Sequence, residues 1–257
     1  KDTIVDWHPC VDGKWVVSWM PKFDDRNKSV QRFGKRSPAN TEEGCFGCDP
    51  YDSNTTVDNR KSNAASYGLR KFNPMNPYET GIFVCEYVNR PPMADIMFED
   101  ILLQSVFYGW EVLIESNKIG CINHFLRRGY ANYLMRRPEE TQTDSSRKMK
   151  EDYGIPMSGS EARQSLIYAV ESFVINRIGL IEEENREPYM GKCYFDRLLK
   201  SLQEFDFDAE WTIFDEMVGA GLALLGARKY IPKKKVIKTF ELFPKYKMNG
   251  ENSQRIG

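Results

Sequence analysis

The sequence predicts an α/β fold: a mixed sheet, built from an antiparallel three-strand meander plus parallel strands, with helices on both faces. Three observations carry this. Three apolar segments between Gly44 and Val88 are separated only by polar or proline-bearing loops, as in a meander. After Met93 the apolar spacing lengthens to that of a helix. Beyond that point strand-like and helical segments alternate, and the chain then turns helical, which lays helices against a sheet.

The elements follow in order. Gly13 to Trp19, behind an Asp12–Gly13 turn, reads as a strand within a peripheral lead-in. Lys22 to Glu43 is polar and turn-rich, with Asp24, Asp25, Asn27, Pro38 and Asn40, and reads as a loop or linker. Gly44 to Cys48 is a short strand of small and apolar residues, stopped at Asp49-Pro50-Tyr51-Asp52, where Asp52 is expected to be solvated. A polar hairpin loop to Asn63 leads to a second strand, Ala64–Phe72. A turn with two prolines, Asn73–Tyr78, leads to a third, Thr80–Val88, rich in β-branched and aromatic residues.

Met93–Tyr108 has helical spacing at Ile96, Met97, Ile101, Leu102, Val106 and Phe107, and Gly109 ends it. Trp110–Ile114 is the next strand, closing on Glu115-Ser116-Asn117. A helix from Ile119 to about Arg128 stops at Gly129, and Tyr133–Met135 reads as a fifth strand. Pro138 to Gly154, charged and turn-rich, reads as a mobile loop. Ser160 is expected to cap a helix from Glu161 to about Leu180. Tyr194–Phe205 and Ile213–Tyr230 are the last helices, the final one with a core face of Met217, Ala220, Leu224 and Ala227. The organisation is a lead-in at 1–43, a domain at 44–230 and a basic tail at 231–257.

Composition narrows the function classes. With 41% hydrophobic and 13% aromatic residues among 257, the chain is globular rather than disordered. No stretch approaches ~18 uncharged apolar residues, so no membrane span is expected, and Lys1–His8 lacks the apolar run of a signal peptide. Net charge is −1, from 36 basic and 37 acidic residues, which excludes a uniformly basic surface but leaves room for a local patch. Six cysteines are too sparse for a disulfide scaffold. Cys45 and Cys48 form one CxxC without a second, and His8 and His124 are the only histidines. Zinc would therefore need distant ligands, and the plainer reading is two small residues of a buried strand. His124 reads as a core-edge helix residue. Gly34-Lys35-Arg36-Ser37 lacks the earlier glycine of a phosphate-binding loop, which argues against ATP hydrolysis by this chain.

The chemistry-bearing candidates are acids at element ends. Asp49 ends the first core strand, Glu115 ends the fourth, and Asp215, with Glu216 beside it, opens the final helix. Open α/β sheets gather ligands at strand ends. Clustered carboxylates repel unless cations neutralise them, and magnesium or manganese takes oxygen ligands. Spacing alone leaves two readings open: such a cluster, or a strand-end turn plus an ordinary N-terminal helix charge. Asp206 and Asp208 rival Asp215 as third ligand. A rigid helix mount favours Asp215 over the loop residues. For a phosphate backbone, the candidate cations are Arg127, Arg128, Arg136, Arg137, Lys148, Lys150, Arg163, Lys233, Lys234 and Lys235.

Gly44-Cys-Phe-Gly-Cys-Asp49-Pro50-Tyr51-Asp52 resembles the first motif of the nuclease domain of tailed-phage large terminase subunits, a strand ending in Asp. Glu111-Val-Leu-Ile-Glu115-Ser-Asn-Lys is similar to its second motif, and Phe214-Asp215-Glu216-Met-Val-Gly-Ala-Gly-Leu to its last. The resemblance spans about Gly44 to Arg228. It implies a ribonuclease H-like fold and a two-metal endonuclease centre with Mg2+ or Mn2+ on Asp49, Glu115, Asp215 and Glu216. It further implies double-stranded DNA as substrate and a role in viral genome packaging. The partners it implies are the portal and small terminase subunit, in the cytoplasm of an infected bacterial host. Two departures stand out: Glu216 where the family often has Asp, and Gly219 where a further Asp is often found. The absent ATPase domain and the non-Met start suggest an isolated domain. A Holliday-junction resolvase or a non-catalytic DNA-binding module are the alternatives.

Overall fold

The computed structural model describes residues 3–52, 63–138, 153–179, 191–205 and 214–228. Its main sheet has five strands: β1 (Trp15–Val17), β4 (Gly44–Asp49), β5 (Ala64–Arg70), β6 (Ile82–Asn89) and β7 (Glu111–Ile114), in the order β1-β6-β5-β4-β7. β4, β5 and β6 form the antiparallel meander, and β7 lies parallel beside β4. The helices are α1 (Ala94–Tyr108), α2 (Gly120–Arg127), α3 (Ser160–Phe173), α4 (Asp196–Glu204) and α5 (Asp215–Arg228). No helix among the described residues is long and apolar enough to cross a membrane.

Strand alternation sorts the core into two layers. On one face Phe46, Cys48, Val112 and Ile114 meet α1 and α2 in a layer rich in rings, including Tyr108, Trp110 and Phe125. On the other face Cys45, Leu113, Ala65 and Tyr67 meet α3, α4 and α5. Cys45 and Cys48 thus point to opposite faces, so their thiols do not converge on one ion. Burial pushes the Cys45 thiol up to about 12.

α5 lies flat on the sheet because both partners are small there. A Cβ on Gly47 of β4 would come within 2.0 Å of the Ala223 backbone nitrogen. One on Gly219 would come within 2.8 Å of the Ala65 carbonyl oxygen. Gly219 packs on β5 near the start of α5 and Ala223 on mid-β4, and the Cys45 thiol, near the start of β4, donates to the Ala223 carbonyl at 3.3 Å. The helix therefore runs antiparallel to β4, with its N-terminus at the C-terminal end of that strand.

The structure departs from the sequence reading in four places. The lead-in is not wholly peripheral. β1 is the edge strand of the main sheet, and Lys14 ties it to α1 through an ion pair of 3.1 Å with the buried Asp100, which also accepts from Tyr87 at 3.0 Å. The polar stretch expected as a loop contains a hairpin, β2 (Ser29–Arg32) and β3 (Lys35–Pro38), turned at Phe33–Gly34. Tyr133–Met135 forms no strand: a 3-10 turn occupies 131–133, and only an isolated parallel bridge, Val112 to Leu134, reaches the sheet. Ser160 is not the cap but the first residue of α3, behind Gly159, and no side chain caps that end; a π-helical turn, Val174–Ile178, extends the helix. The expected loop around 139–152 and the tail from 229 lie outside the described residues.

Candidate metal centre

Asp49 and Glu115 meet because two adjacent parallel strands end in register. Cys48 pairs with Ile114, and the Glu115 amide donates to the Cys48 carbonyl at 2.9 Å, so the next residues, Asp49 and Glu115, leave the sheet side by side. Both have odd positions in their strands, like Gly47 and Leu113, and so face the α5 side. Asp49 is 4% exposed and Glu115 8%. α5 begins on that face, and Asp215, also buried, opens it. One Asp215 oxygen accepts the Asn63 amide at 2.7 Å.

The pair is electrostatically strained. Two like charges ~4 Å apart repel by about 4 kcal/mol at a dielectric of 20. Burial first, then the hydrogen bond and charge of Glu115, push the Asp49 carboxyl well above the usual carboxylate range, with Asp215 adding to the effect. A lysine opposes this. Lys118 Nζ donates to Asp49 Oδ1 at 3.0 Å and stands 3.6 Å from Glu115 Oε2. Burial alone would lower the Lys118 ammonium, but Asp49 and then Glu115 outweigh burial and hold it charged. Asn117 completes the turn by donating to Glu115 Oε1 at 2.8 Å.

An all-carboxylate donor set suits a hard divalent cation. Among the described residues, however, no three His, Cys, Asp or Glu side chains form a ready metal cage. Asp49 and Glu115 converge with an ammonium between them, while Asp215 accepts the Asn63 amide and acts on both Asp49 and Lys118 through its charge. Lys118 is a residue of the candidate site that the sequence reading did not single out. Its signal was a cation three positions after a predicted ligand, on the turn into α2. Asp52 has a role as well: though exposed, its carboxylate accepts from the Gly120 amide at 3.2 and 3.3 Å and so anchors the start of α2 beside the site.

Glu216 goes elsewhere. One residue further round the helix, it lines a polar cleft of about 550 Å3 with Asn89, Arg90, Arg197 and Lys200. Burial first and then Asp215 raise its carboxyl, and Arg197 opposes them. Gly219 has no room for the acid often found at that point of the family motif, because it abuts the Ala65 carbonyl.

The candidate backbone-binding cations are scattered. Arg128 pairs with Glu99 of α1 at 2.9 Å, and Arg127 stands 3.7 Å from Asp95. Both sit at the end of α2 away from Asp52. Arg136 is exposed and itself bridges antiparallel to Tyr153, Arg137 is half-buried next to it, and Arg163 Nε donates to the Met157 carbonyl at 2.7 Å. Lys148, Lys150, Lys233, Lys234 and Lys235, with Asp206 and Asp208, lie outside the described residues. His124 is the core-edge residue expected, its Nε2 donating to Glu99 at 2.7 Å. A cationic group that the sequence did not single out, Arg70, Lys71, Arg177 and Arg228, lines a groove of about 1010 Å3 at the opposite end of the sheet.

No protein-family model and no curated protein matches the chain. Among solved structures it is similar to the large terminase nuclease from thermophilic phage G20c, at 11% identity and a TM-score of 0.47, covering 86% of this chain and 91% of that one.

Proposed function

We propose that the chain is a divalent-cation-dependent endonuclease that hydrolyses phosphodiester bonds of double-stranded DNA. The observation that supports this most is the in-register placement of Asp49 and Glu115 on one face of two parallel strands, with Asp215 opening α5 at the same end. Asp49, Glu115 and Asp215 are the proposed ligands of Mg2+ or Mn2+, with two ions in the working state as the sequence resemblance implies. Glu216 is a ligand in that resemblance, but it lines a different cleft here and is proposed at most as an outer partner. When bound, the ions supply Lewis acidity for activating a water and for the leaving ester oxygen.

The chain's own residues do the rest. The strand ends fix the carboxylates in direction, and burial keeps bulk water from screening them. In hydrolysis the water oxygen bonds to phosphorus, one P–O ester bond breaks, and the leaving oxygen takes up a proton. Arg127, Arg128, Arg136, Arg137 and Arg163 are proposed as backbone contacts, which would give affinity that falls steeply with salt and varies little with sequence. Genome packaging in an infected bacterial host, with the portal and small terminase subunit as partners, belongs to the same proposal and is supported by the sequence motifs. Plasmid digestion with Mn2+ tests it: nicking and linearisation should occur, stop with chelator, and disappear in Asp215→Ala. Cleavage that survives chelation overturns it.

A further inference from the structure

We infer that Lys118 is a stand-in cation. In the free chain its ammonium holds the place of one divalent ion between Asp49 and Glu115, so that only one ion binds until Lys118 withdraws to a substrate phosphate. This rests on the proposed function and sharpens its ion count.

Geometry is the first support. Lys118 Nζ touches Asp49 at 3.0 Å and Glu115 at 3.6 Å, a bridging position between the two acids that end adjacent parallel strands in register. The side chain is only a third exposed, and its backbone sits on the short turn between β7 and α2. That turn is fixed at both ends. Asn117 donates to Glu115, and Asp52 accepts from Gly120. The ammonium is thus delivered to the acids by a constrained loop rather than by a chance rotamer of a surface lysine.

Charge is the second. With all three acids ionised, as metal binding requires, Asp49, Glu115 and Asp215 sum to −3, and Lys118 brings the site to −2, which one divalent ion cancels. Two ions with Lys118 in place would leave +2 in a site whose acids are nearly inaccessible to water, a cost that no anion among the described residues offsets. Glu216 faces Arg197, and Asp52 faces the α2 amide. A phosphodiester oxygen changes the sum. It adds a negative charge and offers the ammonium a charge-assisted hydrogen bond in exchange for Asp49. Substrate binding and entry of a second ion then become one coupled event, and the free protein is spared a fully loaded centre.

Calorimetric titration of the chain with Mn2+ alone tests this. Wild type should bind one ion per chain and Lys118→Met two. With a dithymidine phosphodiester present in the cold, wild type should rise from one to two. Two ions in free wild type overturn the inference and leave the nuclease reading intact. One ion in Lys118→Met, or no rise with the phosphodiester, also overturns it. No binding by either protein overturns both readings. The wild-type measurements decide the matter even where the variant fails to fold.

Discussion

Phe46 and Gly47 are neighbours in β4 and face opposite layers. Phe46 sits among rings, 5.3 Å from Tyr108 and 5.4 Å from Trp110 between centroids. Gly47 has the α5 backbone against it, with no space for one methyl group. The layer on the Phe46 side is thick and filled by large side chains; the layer on the Gly47 side is thin where α5 crosses β4 and is set there by backbone contact, while Tyr67, Phe83, Phe173 and Phe195 fill it further along. The proposed chemistry lies on the thin side. An acid borne on a helix can reach strand-end acids only if the helix axis comes close, and glycine and alanine at the contact allow that. Bulk holds the fold on one face, and closeness places the acids on the other.

The sharpest break of this comparison is at the acids themselves. Asp49→Asn should abolish cleavage of plasmid DNA while leaving the melting temperature unchanged or higher at neutral pH. Because the native Asp49 carboxyl is raised by burial and Glu115, its stability contribution is full below the ordinary carboxylate range and is lost as pH rises through the raised value. Asparagine removes that loss, so the two proteins should melt alike in acid and diverge above it. A variant that still nicks DNA, or that melts lower at every pH, contradicts the assignment.

The next test sets the two faces against each other. Gly47→Ala overpacks the α5 contact and Phe46→Leu loosens the ring layer, each at a cost of roughly 1–3 kcal/mol. At a temperature where both remain folded, Gly47→Ala should lose at least tenfold in cleavage, because α5 must lift and carry Asp215 with it. Phe46→Leu should cleave within about twofold of wild type. Equal activity in the two variants, with equal loss of stability, would mean that the spacing of α5 does not govern the site.

Much of this was legible in the residues, for identifiable reasons. The meander and the switch to helical spacing at Met93 follow from apolar periodicity and from loops that carry no helical pattern between the strands. Asp49 and Glu115 were legible because strand ends are marked by Pro50 and by Ser116-Asn117. Lys118 was not, since its reach to Asp49 spans 69 positions and depends on the path of a turn. The divergence of Glu216 was partly legible, as a helix turns about 100° per residue. The pairing of Arg127 and Arg128 with Asp95 and Glu99 was hidden because it depends on how α2 docks on α1. The β2–β3 hairpin was missed for a plainer reason: two four-residue strands carry too little pattern to stand out against turn residues.

The smallest expected effect concerns how the helices on the thick side are tied together. α5 is held by backbone contact, whereas α1 and α2 are also joined at their outer edge by Glu99, which accepts from Arg128 at 2.9 and 3.1 Å and from His124 at 2.7 Å. Burial would raise the Glu99 carboxyl, but the hydrogen bonds from Arg128 and then His124 outweigh it and hold it below the usual value. A lowered carboxylate contributes stability that is present above its ordinary range and is lost as pH falls through the lowered value. Glu99→Gln should therefore cost under about 1 kcal/mol at neutral pH, because the cluster is partly exposed and screened. The difference from wild type should shrink as pH drops below the carboxylate range, and again at molar salt. Cleavage at saturating DNA should not change, because Glu99 lies apart from the proposed ligands. A loss of several kcal/mol would show that the thick layer leans on this cluster as heavily as the thin one leans on Gly47, and the division of labour between the two faces would fall.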